Sequence, residues 1–155
     1  MKPSTKKVKA LSYRGLQPAS KKASAAARGS SNKSGNKPER LLRYELWKSG
    51  YRYRKNVSQI LGNPDILFIS SRVAIFCDGD FWHGKDWKSR RRKLMHGHNP
   101  DYWVAKIERN IERDIHISHQ LENKGWHVIR VWESEIKNDV NKVVKRISKA
   151  LNDSH

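Results

Sequence analysis

Five titratable side chains, Glu39, Asp65, Asp78, His83 and Asp114, could carry chemistry together if the fold gathers them. The most informative stretch is Val73–Ala74–Ile75–Phe76–Cys77–Asp78–Gly79–Asp80–Phe81–Trp82–His83. Its apolar run, rich in branched and aromatic residues, reads as a buried strand. It ends in two carboxylates around a glycine, a place rigid enough to hold metal-binding or proton-transferring groups. Asp65 opens a second apolar run, Ile66–Ile69, joined to the first by the tight connection Ser70–Arg72. Such a hairpin sets the start of one strand beside the end of the other, so Asp65 and Asp78 can converge. Oxygen ligands around a space for water suit Mg2+, which commonly takes one or two protein carboxylates. That ion can activate water and neutralise charge during attack on a phosphodiester. His83 suits general acid–base work near neutral pH. Asp114 follows Ile107 and Ile111 at helical spacing, hence on an inward face, where a carboxylate needs a partner such as a histidine to orient.

Each group also has a plainer reading. Asp65 after Asn63–Pro64, and Asp78 before Gly79, could simply belong to turns. Glu39 sits in a helix's first turn, where acids favour the macrodipole. A histidine after tryptophan can be structural, and Asp114 can be one charge on a solvated helix face. Taken together on a basic α/β domain, the five point to a metal-dependent nuclease. A DNA-binding module without catalysis is the alternative.

The elements that would position these groups follow from periodicity and turn signals. Pro38 suits a helix's first turn, and Leu41, Leu42, Leu46 and Trp47 recur at helical spacing before Gly50. Tyr51–Val57 alternates aromatic and basic residues, as an edge strand would. Lys85–His98 reads as a basic, aromatic loop or short helix. Asn99–Pro100 starts a long helix running to about Lys124, with Trp103, Ile107, Ile111, Ile115 and Leu121 as a core-facing stripe. Trp126–Trp132 is a further strand, and Val140, Val143, Val144, Ile147 and Leu151 mark a final helix. The order is an α/β domain with a mixed central sheet flanked by helices.

Lys and Arg outnumber Asp and Glu by 33 to 15, a formal net charge of +18. Such an excess implies a polyanionic partner, because these side chains release counterions from phosphates. Residues 1–36 carry nine Lys or Arg and no acid, which reads as a disordered basic arm ahead of a folded domain at 37–155. The single cysteine excludes an intrachain disulfide and a cysteine-based zinc cage, and fits a reducing cytoplasm. No apolar run reaches the roughly 20 residues needed to span a bilayer, so no membrane role is expected.

Six ordered segments carry a resemblance: Lys37–Arg40, Gly62–Ile66, Phe76–Gly84, Tyr102–Ile107, Asn110–Asp114 and Gly125–Glu133. Over about residues 37–151 the chain resembles the very-short-patch-repair (Vsr) endonucleases, of the restriction-endonuclease-like superfamily. The resemblance implies Mg2+-dependent nicking of double-stranded DNA beside a T·G mismatch in the bacterial cytoplasm or nucleoid. Other mismatch-repair proteins are expected partners, and a chain this short, with only a basic arm as appendage, favours a monomeric nickase. The rival within enzymes is a homing- or restriction-type nuclease using the same core on undamaged DNA. By the same resemblance Asp65 is the catalytic metal-binding aspartate, and Cys77 contributes its backbone carbonyl. His83 is the general base, and Glu39 and Asp114 order water or that histidine. Phe81, Trp82 and Trp103 wedge into the base stack, the cost of unstacking being partly recovered by aromatic insertion. Asp78 stands where the family has a second histidine, and could add a metal oxygen. The family's structural zinc is not expected, because Asp80, Lys85, Trp87 and Ser134 occupy its ligand positions. Core packing remains the other reading of the aromatics.

Overall fold

The computed structural model describes residues 36–154. The expected arm at 1–36 therefore lies outside the described residues, apart from Asn36. Helix α1 (Lys37–Lys48) is followed by strands β1 (Arg54–Lys55), β2 (Ile66–Phe68) and β3 (Val73–Asp78). Helices α2 (Trp87–Met95) and α3 (Pro100–Asn123), strand β4 (His127–Trp132) and helix α4 (Glu133–Asp153) complete the chain. The sheet order is β1-β2-β3-β4, with the first two pairings antiparallel and β3–β4 parallel. This is the mixed sheet of a restriction-endonuclease-like fold.

Alternation along β3 divides its side chains between two cores. Val73 and Ile75 pack with Leu42 and Leu46 of α1 and with Ile136, Val143 and Ile147 of α4. Ala74 and Phe76 face the other way, onto Leu121 and Ile117 of α3. The result is three layers, α1 and α4 over the sheet and α3 beneath it. Because successive residues point to opposite faces, Cys77 belongs with the first layer and Asp78 with the second.

Several elements differ from expectation. The ladder of β1 spans only Arg54–Lys55, although Tyr51 and Tyr53 do turn inward, each edge-on to Phe68 at 6.2 and 6.0 Å. Helix α4 begins at Glu133, not near Val140; the Glu135 carboxylate accepts from the Trp132 backbone N–H at 2.9 Å and caps its first turn. A non-helical Asp139 (φ −157°, ψ 85°) then kinks it, which interrupts the apolar period. Ile115 is 53% exposed, because the stripe of the 24-residue α3 rotates off the sheet towards its middle. Trp103 is half-buried among other aromatics and lies outside both apolar cores.

Candidate active site

Register places the acids. Ile66 pairs with Ile75 and Phe68 with Val73, so Asp65 falls level with the end of β3. There Asp65 Oδ2 accepts from the Cys77 backbone N–H at 2.7 Å, so the side chain continues the ladder where the β2 backbone leaves it. Among the described residues nothing donates to its other oxygen. Burial pushes the Asp65 carboxyl up to about 6, against the Cys77 hydrogen bond, and the charges of Glu39 and Asp78 add to the rise. Glu39 projects from the first turn of α1, whose end is capped by Asn36 accepting from the Glu39 N–H at 3.0 Å. Glu39 is buried, paired with Arg43 one turn on at 3.0 Å, and raised chiefly by burial. Its Oε1 accepts no hydrogen bond among the described residues.

On the opposite face of the sheet stands the histidine. His83 Nδ1 lies 2.5 Å from Asp114 Oδ2 of α3 and 3.6 Å from Asp78 Oδ1. A donor facing two carboxylates fixes the proton on Nδ1 and leaves Nε2 as the acceptor. Burial alone would lower the His83 pKa. The hydrogen bond from His83 to Asp114 and the charges of Asp78 and Asp114 outweigh it and hold the ring above its ordinary value. The ring opens onto a cleft of about 360 Å3 shared with Asp78, Asp114, Ile115 and Arg130.

Arg130, at the middle of β4, organises this half. Its Nη1 donates to both Asp78 oxygens at 3.0 and 3.1 Å, and its Nη2 to the Asp114 carbonyl at 3.2 Å. Nε donates to Ser118 Oγ at 2.9 Å, and the guanidinium stacks 4.4 Å from the Phe76 ring centre. Sequence reasoning missed Arg130; its signal was a charge at an inward position of an apolar strand, which demands a carboxylate. Asp78, His83 and Asp114 bring ligand atoms within 4.8 Å of one another and so could hold a metal ion. Arg130 already pairs with both carboxylates of that cluster, and Asp78, expected beside Asp65, stands with the histidine instead.

Asp65 and Glu39 form the other oxygen-rich half. Glu39 is buried with an oxygen that accepts no hydrogen bond among the described residues, and its charge adds to the rise of the half-buried Asp65 carboxyl. A divalent cation would relieve both, and an oxygen-only donor set of a carboxylate with the Cys77 carbonyl fits Mg2+. The Cys77 thiol, raised by burial and by Asp65, stays protonated and is no ligand.

Residues 80–86 form the turn between β3 and α2 and carry the aromatics. Phe81 and Trp82 meet edge-on at 5.1 Å, and Trp103 closes the group at 5.9 and 5.8 Å from them. Lys106 lies 5.3 Å from the Trp82 ring centre and Arg90 lies 5.5 Å from that of Phe81. Three of the four positions at which zinc ligands were not expected make a polar brace. Lys85 Nζ donates to Ser134 Oγ and sits 3.9 Å from Asp80 Oδ2, while the Ser134 N–H donates to Asp80 Oδ1 at 3.2 Å.

The chain is 43% identical over 124 residues to the type II nicking enzyme V.NmeDIP of Neisseria meningitidis serogroup C, covering 79% of this chain and 82% of that one. The family model described as DNA mismatch endonuclease Vsr matches residues 16–89. The chain belongs to the Vsr family. The type II nicking enzyme V.HpaIIP of Haemophilus parainfluenzae is 42% identical, over 80% of this chain and 86% of its own. The DNA mismatch endonuclease Vsr of Escherichia coli K12 is 29% identical, over 64% of this chain and 62% of its own. This Vsr-family chain is a DNA endonuclease. No described helix is long and apolar enough to cross a membrane.

Proposed function

We propose that this endonuclease hydrolyses one strand of double-stranded DNA beside a T·G mismatch, with Mg2+ held by Asp65 and the backbone carbonyl of Cys77. The observation that carries the reading is the His83–Asp114 pair at 2.5 Å, at the strand end where Asp65 meets Cys77. His83 Nε2 takes the proton of the attacking water, because Nδ1 is committed to Asp114. Asp114 holds the tautomer and stabilises the imidazolium, and Asp78, fixed by Arg130, adds a second negative charge beside the ring. Glu39, held by Arg43, orders water next to Asp65. When bound, Mg2+ supplies charge neutralisation at the scissile phosphate and lowers the pKa of water. Phe81, Trp82 and Trp103 enter the base stack, where aromatic faces offset the cost of unstacking. The protein acts as a monomer in the bacterial cytoplasm or nucleoid, alongside other mismatch-repair proteins.

The relatives named type II nicking enzymes favour a second reading, nicking of undamaged DNA at a recognised sequence. Incubating a duplex with enzyme in Mg2+ or in EDTA tests the common chemistry. Cleavage is expected in Mg2+ alone, and Asp65→Ala should abolish it while binding persists. Cutting in EDTA, or by the variant, would refute the assignment.

A further inference from the structure

Outside the catalytic groups, the strongest unassigned feature is a cleft of about 430 Å3 between α1 and β1, lined by Arg40, Arg43, Tyr53 and Lys55. Three cations and a phenol line it, and Arg43 is paired with Glu39 at 3.0 Å. Arg40 and Lys55 are exposed and have no acidic partner among the described residues. The cleft is built, since the Tyr53 hydroxyl donates to the Arg43 carbonyl at 2.7 Å and ties β1 to α1. It also adjoins the catalytic strand end. Lys55 pairs with Ile66, the neighbour of Asp65, and the Asn56 N–H donates to the Asp65 carbonyl at 3.2 Å. Arg43 is close enough to act on the Asp65 carboxyl from one side and on the cleft from the other.

We propose that this cleft is a phosphate subsite, holding a backbone phosphate of the cleaved strand next to the scissile one, with Arg40 and Lys55 as its principal donors. The inference rests on the endonuclease reading above. Fixing two successive phosphates, one at Asp65 and one at the cleft, defines the direction in which the strand crosses the site. Such contacts position the strand without reading sequence.

The test is a binding titration in EDTA of the full chain and of R40A/K55A, against a T·G duplex carrying one neutral methylphosphonate stepped along the strand beside the mismatch. Wild type should weaken about tenfold at one position, as loss of a charge-assisted contact predicts. The double variant should be indifferent there, with a salt slope shallower by about 1 per cation removed. Equal sensitivity of both proteins at every position would overturn the proposal. So would displacement by millimolar inorganic phosphate that depends on Arg40 and Lys55 without any methylphosphonate effect, which would make the ligand free phosphate. Thermal melting checks folding, and R40Q/K55Q serves if the alanine pair melts early. Should wild type cut no duplex in Mg2+, the endonuclease reading falls while the binding titration still decides the subsite.

Discussion

Asp65 illustrates how a functional group can cost its fold stability. Its carboxyl is raised from 3.8 to about 6, so the folded chain holds the proton more tightly than the unfolded chain does. The contribution is fully present below 3.8 and is lost as pH rises through about 6. At neutral pH the ionised group therefore weakens the metal-free protein by up to about 3 kcal/mol. Asp65→Asn should melt several degrees higher than wild type at pH 7.5 without metal, with the gap closing by pH 4, while cleavage is lost. A lower melting temperature at pH 7.5 would contradict this. His83 gives a second prediction. A base whose pKa lies above its ordinary value is active only at higher pH, so the cleavage rate should climb through a limb above 6.5. Asp114→Asn removes a raising charge; the limb should move to lower pH and the rate fall about 100-fold or more. An unmoved limb would exclude the pairing as its cause. Arg130→Met leaves the buried Asp78 with only His83 beside it, and should cost about 3 kcal/mol, largely recovered in D78N/R130M.

At the scale of elements, the end of β3 divides the machinery. Strand alternation sends Cys77 towards Asp65 and Glu39, and Asp78 towards His83, Asp114 and Arg130. The turn that follows is held by the Lys85, Ser134 and Asp80 contacts, so a zinc chelator should leave the melting temperature unchanged, whereas Lys85→Met should lower it. A melting temperature that falls with the chelator would show that the brace is not sufficient. Gly84 closes the same turn at φ +72°, where a Cβ would lie 2.4 Å from Ile111 Cδ1. Gly84→Ala should therefore destabilise by about 1–3 kcal/mol. Much of this arrangement was legible in the chain. The two apolar runs around Ser70–Arg72 foretold the hairpin, and Asn99–Pro100 foretold the start of α3. The start of α4 was hidden because Glu133–Lys137 is largely polar and Asp139 breaks the period. The Asp78–Arg130 pair was hidden because parallel register between β3 and β4 is not written in either strand alone.

For the whole molecule, a charge of +18 implies only a polyanionic partner, so preference for a mismatch is tested at the proposed aromatic wedge. Trp82→Ala should weaken preference for mismatched over paired duplex more than it weakens binding to ordinary duplex, as paired titrations of the two would show. The central claim is a strand-selective nick at a mismatch. Its most direct test is a denaturing-gel assay of T·G and fully paired duplexes in Mg2+, with each strand labelled separately. The account predicts a single cut beside the mismatch, in one strand only, and an intact paired duplex. Equal cutting of both duplexes, or of both strands, would contradict it.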